Sequence, residues 1–239
     1  VGLPIAYNAI LSGSKLTIES LLQARLFASA VLVDPKTSKF KYTPFEFKSG
    51  EVIAGNTKNF IPHTEVRKKL AAYGYKIRTE KIVSEGKEQN VVKIDFGSKD
   101  RVLANLYDYI AQLNSMISSE RDAYEVIAFA VQELLIIHPF KDGNGRIARL
   151  LGQRLGEELL KDTLFFPKEF FREMNYSHQE LAVALRSAHK KSNEARNNTD
   201  EKRDTFLKEV GIGTELLYSG PNWGHMSFYK MDSVKLKPL

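Results

Sequence analysis

The chain of 239 residues contains no cysteine and only one tryptophan. Without cysteine there is no disulfide framework and no thiolate chemistry, which fits a reducing compartment. No hydrophobic run is long enough to span a bilayer; the most apolar stretch, Tyr124–Ile137, is broken by Glu125, Gln132 and Glu133. The N-terminal residues Val1-Gly2-Leu3-Pro4 lack the basic start and apolar run of a signal peptide, and the missing initiator Met fits a processed or recombinant fragment. A cytoplasmic location is therefore expected, with delivery of a secreted effector into a host cytosol as the alternative. The charge excess is small, 35 Lys and Arg against 29 Asp and Glu. That balance suits a nucleic acid, an acidic partner or nucleotide phosphates equally well, and does not choose among them.

What is present is an ordinary globular composition, 43% hydrophobic and 27% charged, with enough length for a sizeable core. Apolar residues Val102, Leu103, Leu106, Tyr107, Ile110, Leu113, Met116 and Ile117 recur at three- and four-residue steps and predict a helix. Asp122–Ile137 is apolar nearly all round, as a helix in the middle of a bundle should be. Further helices are expected at Thr17–Ala28, Asn144–Leu160, Ser177–Lys191 and Thr199–Val210. Thr17 reads as a cap of the first of these, and Ser177 with Glu180 has capping-box spacing. Alternation at Tyr75, Ile77 and Thr79, then at Val92, Ile94 and Phe96, around polar Ser84–Gln89, predicts a β-hairpin. The fold class is mainly α, with an N-terminal segment 1–100 that includes the hairpin and belongs to the same domain as a helical core 101–210, and a turn-rich tail 211–239.

Chemistry concentrates in the run His138-Pro139-Phe140-Lys141-Asp142-Gly143-Asn144-Gly145-Arg146-Ile147-Ala148-Arg149. Pro139 breaks one helix, and Gly143 and Gly145 permit tight backbone at the start of the next. A helix N-terminus with glycines beside it is a ready anion site. Arg146 and Arg149, three apart, share a helix face and can grip successive phosphates. Asp142 offers a hard oxygen suited to Mg²⁺ shared with phosphates, and His138 at the opposite lip is placed as a general base. Each residue also has a plain structural reading: a capping histidine, an Asp-Gly turn, a solvated arginine face. Jointly they describe nucleotidyl or phosphoryl transfer. His63, His178, His189 and His225 show no metal-ligand spacing, so no zinc site is expected.

This run resembles the Fic-domain motif, H-x-F-x-[D/E]-G-N-G-R-x-x-R, at every specified position, and the resemblance extends over roughly residues 8 to 190. It implies a Fic-type helical bundle with a β-hairpin flap beside the active site, and transfer of AMP from ATP to a Ser, Thr or Tyr hydroxyl of a protein. By that resemblance His138 is the base, Asp142 holds Mg²⁺, and Gly143, Asn144 and Gly145 form the anion hole with the Asn144 side chain also on phosphate. Arg146 meets the β-phosphate, Arg149 the γ-phosphate, and Phe140 fixes the loop. Branches that transfer phosphate or phosphocholine depart from Gly143 and Gly145-Arg146, so AMP transfer is favoured. The flap is read as the Tyr75–Phe96 hairpin, with Val92, Lys93 and Ile94 pairing with an extended target segment. A rival flap is Val52–Val66.

Two departures stand out. The inhibitory helix of many relatives, [S/T]-x-x-x-E-[G/N], matches best at Asn8-Ala9-Ile10-Leu11-Ser12-Gly13, where Ser12 replaces the Glu that pairs with the second arginine. That alignment leaves Arg149 without an internal partner and the enzyme open to ATP. The Tyr-Tyr pair that lines the adenine pocket in several relatives is missing from Gln179–Leu185. Expected partners are ATP, with Mg²⁺ as cofactor, and a protein substrate, the chain itself included, with a homo-oligomer as one arrangement. Neither nucleic acid nor membrane is expected. The competing readings are removal of AMP, which Ser12 disfavours, and a nucleotide-binding module without transfer.

Overall fold

A computed structural model of the chain describes residues 2–11, 13, 15–28, 47–58, 60–84, 87–164, 166 and 173–196. Ser12, the helix expected at Thr199–Val210, His225 and the tail from Gly211 lie outside the described residues. The elements run α1 (Gly2–Ala9), α2 (Ile18–Ala28), β1 (Glu51–Asn56), α3 (Thr64–Ala72), β2 (Lys76–Ser84), β3 (Lys87–Asp95), α4 (Lys99–Ile117), α5 (Ala123–Ile137), α6 (Asn144–Leu160) and α7 (His178–Arg196). The fold is mostly helical with one small antiparallel sheet. No described helix is long and apolar enough to cross a membrane.

Helix α5 is the axle of the bundle, packed against α3, α4, α6 and α7. Its burial on every side explains why its sequence lacks a polar face: Val126, Ile127, Ala130, Val131, Leu134, Ile136 and Ile137 are all essentially inaccessible. Asp122 caps its N-terminus, accepting from the N–H groups of Tyr124 (3.1 Å) and Glu125 (3.2 Å). On α4 the buried stripe is Val102, Leu106, Tyr109, Ile110 and Leu113. Tyr107, expected on that stripe, is 60% exposed, and Tyr109 takes its place by donating its hydroxyl to Ala130 O at 2.7 Å. The expected caps form as read. Thr17 Oγ1 accepts from Ser20 N at 3.0 Å, and Ser177 and Glu180 exchange side-chain-to-backbone bonds of 2.7 and 3.1 Å.

The hairpin β2–β3 forms in continuous register from Lys76↔Asp95 to Ser84↔Lys87. A third strand joins it. β1 pairs with β3 from Glu51↔Asp95 to Asn56↔Val91, with an irregularity between Ile53 and Gly55, so the sheet order is β1-β3-β2. This corrects the role expected for Val92, Lys93 and Ile94. Their strand is central, its hydrogen-bonding edges engaged by β1 and β2, and has none to offer a target peptide. The Lys93 ammonium is held 2.9 Å from Glu80. Among the described residues the outer edges of β1 and β2 are both unpaired, and β1 falls largely in the rival segment Val52–Val66.

Candidate active site

The loop between α5 and α6 is shaped by three local facts. His138 ends α5 in the left-handed region (φ 53°, ψ 55°), donating its N–H to Leu134 O at 3.0 Å. Pro139 then supplies no donor to continue the helix. Gly143, at φ 82°, turns the chain into α6, a conformation that L side chains rarely adopt. The loop closes on itself through Asn144, whose Oδ1 accepts from Phe140 N (2.9 Å) and whose Nδ2 donates to Phe140 O (2.7 Å). Asn144 is 2% exposed, and both ends of its amide are used in this clamp. The clamp takes Oδ1 and one of the two Nδ2 hydrogens, so the side chain expected on phosphate also closes the loop. Phe140 is buried as expected, stacked on Phe47 at 6.1 Å between ring centroids.

Upstream residues that no local pattern pointed to brace this loop. Phe47 bridges Phe140, and Lys48 N donates to Pro139 O at 2.8 Å. The Lys48 side chain turns inward, with its ammonium 5.2 Å from the centre of the Phe96 ring, which stacks in turn on the His138 imidazole at 5.2 Å. Burial lowers Lys48 to about 8, with the Asp142 carboxylate opposing the shift. From α2, Arg25 lies 2% exposed with its guanidinium 5.5 Å from the Phe140 ring centre. A β-carbon added at Gly143 would lie 3.4 Å from Arg146 Nη2 and 3.6 Å from Arg25 Nη1, so two arginines flank that glycine.

His138 is held at about 3, far below an ordinary histidine, because burial and then the nearby Lys48 charge disfavour the imidazolium. Its Nδ1 is 3.4 Å from Leu135 O. A carbonyl only accepts, so Nδ1 carries the ring proton and Nε2 is the basic nitrogen. Asp142, its side chain 43% exposed, accepts from Gly143 N at 2.6 Å and lies 3.4 Å from Arg146 Nη2. Among the described residues no cluster of three or more His, Asp or Glu side chains forms a cage for a metal. One exposed carboxylate beside an anion nest still fits Mg²⁺, which keeps waters and takes its remaining oxygens from phosphates.

These groups line one cleft of about 470 Å³. His138, Asp142, Gly143, Asn144, Gly145, Arg146 and Arg149 all contribute to it, so the expected residues of the loop converge. Ile94 lines it too, whereas Val92 and Lys93 do not. The opposite wall is Val52, Ile53 and Ala54 of β1 with Phe60. Gly143 makes no side-chain cap for α6, and the first N–H groups of that helix look onto the nest. One expectation fails here. Arg149 has an internal partner: its Nη1 is 3.2 Å from Oε1 of Glu173, a buried residue of the turn before α7. Nothing local marks Glu173; a carboxylate in a loop reads as solvated until the chain is folded.

Residues 58–155 match the sequence model of the Fic/DOC family. Over that stretch the chain is similar to a Fic/DOC domain. The matched stretch takes in α3, the hairpin, α4, α5, the whole loop and the first part of α6. Over 50 residues, 21% of the chain, the sequence is 46% identical to "Protein adenylyltransferase fic-1" of Caenorhabditis briggsae. The aligned part amounts to 10% of that relative's length. Arg25, Lys48, β1 and Glu173 all fall outside the Fic match and complete the site from both sides of it.

Proposed function

We propose that this Fic domain transfers AMP from ATP to a side-chain hydroxyl of a protein, releasing pyrophosphate. The observation that carries the reading is the convergence of a neutral histidine base with a glycine-bounded helix N-terminus and two arginines in one cleft. The phosphates lie along the start of α6, bound by its backbone N–H groups, with Arg146 on the β-phosphate and Arg149 on the terminal one. Asp142 is the residue that would hold Mg²⁺, and the ion, when bound, neutralises charge on the phosphates. His138 Nε2 takes the proton of the attacking hydroxyl as its oxygen bonds to the α-phosphorus. The bond from that phosphorus to the bridging oxygen breaks in line, and the electron pair leaves on pyrophosphate. Acceleration comes from holding these parts in register and from fixed positive charge at the phosphates.

The acceptor hydroxyl reaches His138 on a target segment laid along β1. That strand lines the cleft, and Ile53 on it is 50% exposed. Chains of the same sequence are one source of such a target.

The test is intact-mass measurement of the full chain, alone and with candidate proteins, after incubation with ATP and Mg²⁺. Wild type gains the mass of one AMP on itself or on a partner. His138→Asn, which suits the left-handed backbone at this position, loses about 10²- to 10⁴-fold of that rate and keeps its melting temperature. Gain of the mass of phosphate instead would replace the reading with transfer of the terminal group.

A further inference from the structure

Both members of the Arg149–Glu173 pair line the cleft, and the carboxylate is the more buried of the two. Arg149 stands on α6 one turn beyond the anion nest. Its Nη1 contacts Glu173, and the same guanidinium packs beside Gly145: a β-carbon added there would be 3.0 Å from Nη2 and 3.3 Å from Nη1. The guanidinium thus spans from the carboxylate to the phosphate-binding backbone. Of the two side chains the carboxylate is the deeper, 4% exposed against 18% for the arginine. A carboxylate laid across the arginine to cover it would show the reverse order.

Glu173 is also anchored from behind. Its carbonyl accepts from Gln132 Nε2 of α5 at 3.0 Å, and the same amide nitrogen binds Tyr176 O at 2.9 Å. The next residue, Met174, accepts from His63 N at 2.9 Å, and the Asn175 side chain accepts from Ile61 N at 3.1 Å. The turn carrying the carboxylate is therefore tied to the central helix and to the loop leading into α3. A long side chain with several rotatable bonds is fixed by a partner that is itself fixed, so it gives up less freedom when a phosphate arrives.

We infer that Glu173 is a positioning residue: it holds the Arg149 guanidinium over Gly145, aimed at the terminal phosphate, and so sets how strongly the cleft prefers a triphosphate to a diphosphate. The inference rests on the reading of this cleft as a nucleotide site, and it deepens that reading by naming what aims the distal arginine.

The experiment is calorimetric titration of the full chain with inorganic tripolyphosphate and with pyrophosphate, each with Mg²⁺, so that no base contact enters. Glu173→Gln, isosteric and uncharged, is expected to weaken tripolyphosphate about ten-fold while pyrophosphate changes less than about two-fold. In an Arg149→Met background the same substitution should have no further effect. Tripolyphosphate binding that is unchanged or tighter in Glu173→Gln overturns the inference, because the carboxylate is then idle or competes with the ligand. An equal loss in the Arg149→Met background overturns it too, as does a wild type that binds neither probe. Should Glu173→Gln fail to fold, Glu173→Asp reads the same quantity. It keeps the charge but withdraws the carboxylate from Arg149, so tripolyphosphate is weakened selectively, and unchanged binding overturns the inference. AMP transfer is followed by mass in the same samples. Selective loss of tripolyphosphate without any transfer by wild type keeps the role of Glu173 and removes the transferase reading. Transfer by wild type with unaltered tripolyphosphate binding in Glu173→Gln does the opposite.

Discussion

Glu133 and Glu173 are buried to nearly the same degree, 2% and 3% exposed, and each meets a cation. Glu133 stands in the middle of α5 and takes both the Lys69 ammonium and the Tyr73 hydroxyl from α3 and the residue that follows it. Lys69 also lies 5.6 Å from the Phe129 ring centre, and neither member of this pair lines the cleft. Its work is to dock α3 on α5. Glu173 meets an arginine that lines the cleft with it and packs beside Gly145. Burial of an ion pair therefore does not separate structure from function in this molecule. What separates them is whether the cation also faces a space that a ligand can fill.

The largest expected effect tests the structural half of that contrast. Lys69→Met strands the Glu133 carboxylate in the core and should cost about 3–5 kcal/mol in urea unfolding. Glu133→Gln should cost less, about 1–3 kcal/mol, because the partly exposed Lys69 can turn to water and only the Tyr73 contact is weakened. Tripolyphosphate affinity of the folded Lys69→Met protein should equal wild type; a loss there would merge the two pairs into one network and end the contrast.

An intermediate effect comes from pH. His138 titrates lower in the folded chain than in the unfolded one, so the unfolded chain takes up the extra proton as pH falls through 6.5. Stability from this residue is intact above that value and is lost progressively toward about 3, where the folded chain protonates as well. Compared with His138→Asn, wild type should lose about 2 kcal/mol between pH 7 and pH 5, read from denaturant midpoints at each pH. Parallel curves would show that the imidazole is better solvated than its setting between Phe96 and Lys48 requires.

The smallest change in stability should accompany a clear change in binding. Gly145→Ala places a methyl group against Arg149 Nη2 on the first turn of α6. Alanine favours the helix by up to about 1 kcal/mol, so the melting temperature should hold or rise slightly. The displaced guanidinium should still weaken tripolyphosphate several-fold by calorimetry. Unaltered binding would mean that the distal arginine acts without touching the nest, and the cleft pair would then resemble the core pair after all.

Much of this could be read along the chain. The helices α4 to α7 follow from apolar periodicity, and α7 also from the capping box of Ser177 and Glu180. The loop from His138 to Arg149 was legible because its histidine, its glycines and both arginines are local, set by two adjacent helix ends. Other parts carried no comparable signal. Strand β1 is six residues long with an irregularity at Gly55, too short for alternation to stand out. Helix α3 is capped by a histidine, His63 Nδ1 accepting from Glu65 N, instead of by Ser, Thr, Asp or Asn. Asn144 shows the finer limit. Its place in the loop was evident, yet whether its amide met phosphate or closed the loop depended on the position of the Phe140 backbone.

The sequence by itself determined the helical class, the hairpin and a glycine-bounded loop with its histidine and two arginines, because each rests on residues close in the chain. Only the tertiary structure decided that β3 is a central strand, that Arg25 and Lys48 lie buried behind the loop, and that Arg149 leans on Glu173. Those outcomes depend on which distant segments share a wall of the cleft. Periodicity sets which face of an element is buried and leaves open what it is buried against. For a buried charge, that neighbour decides whether it stabilises the fold or serves a ligand.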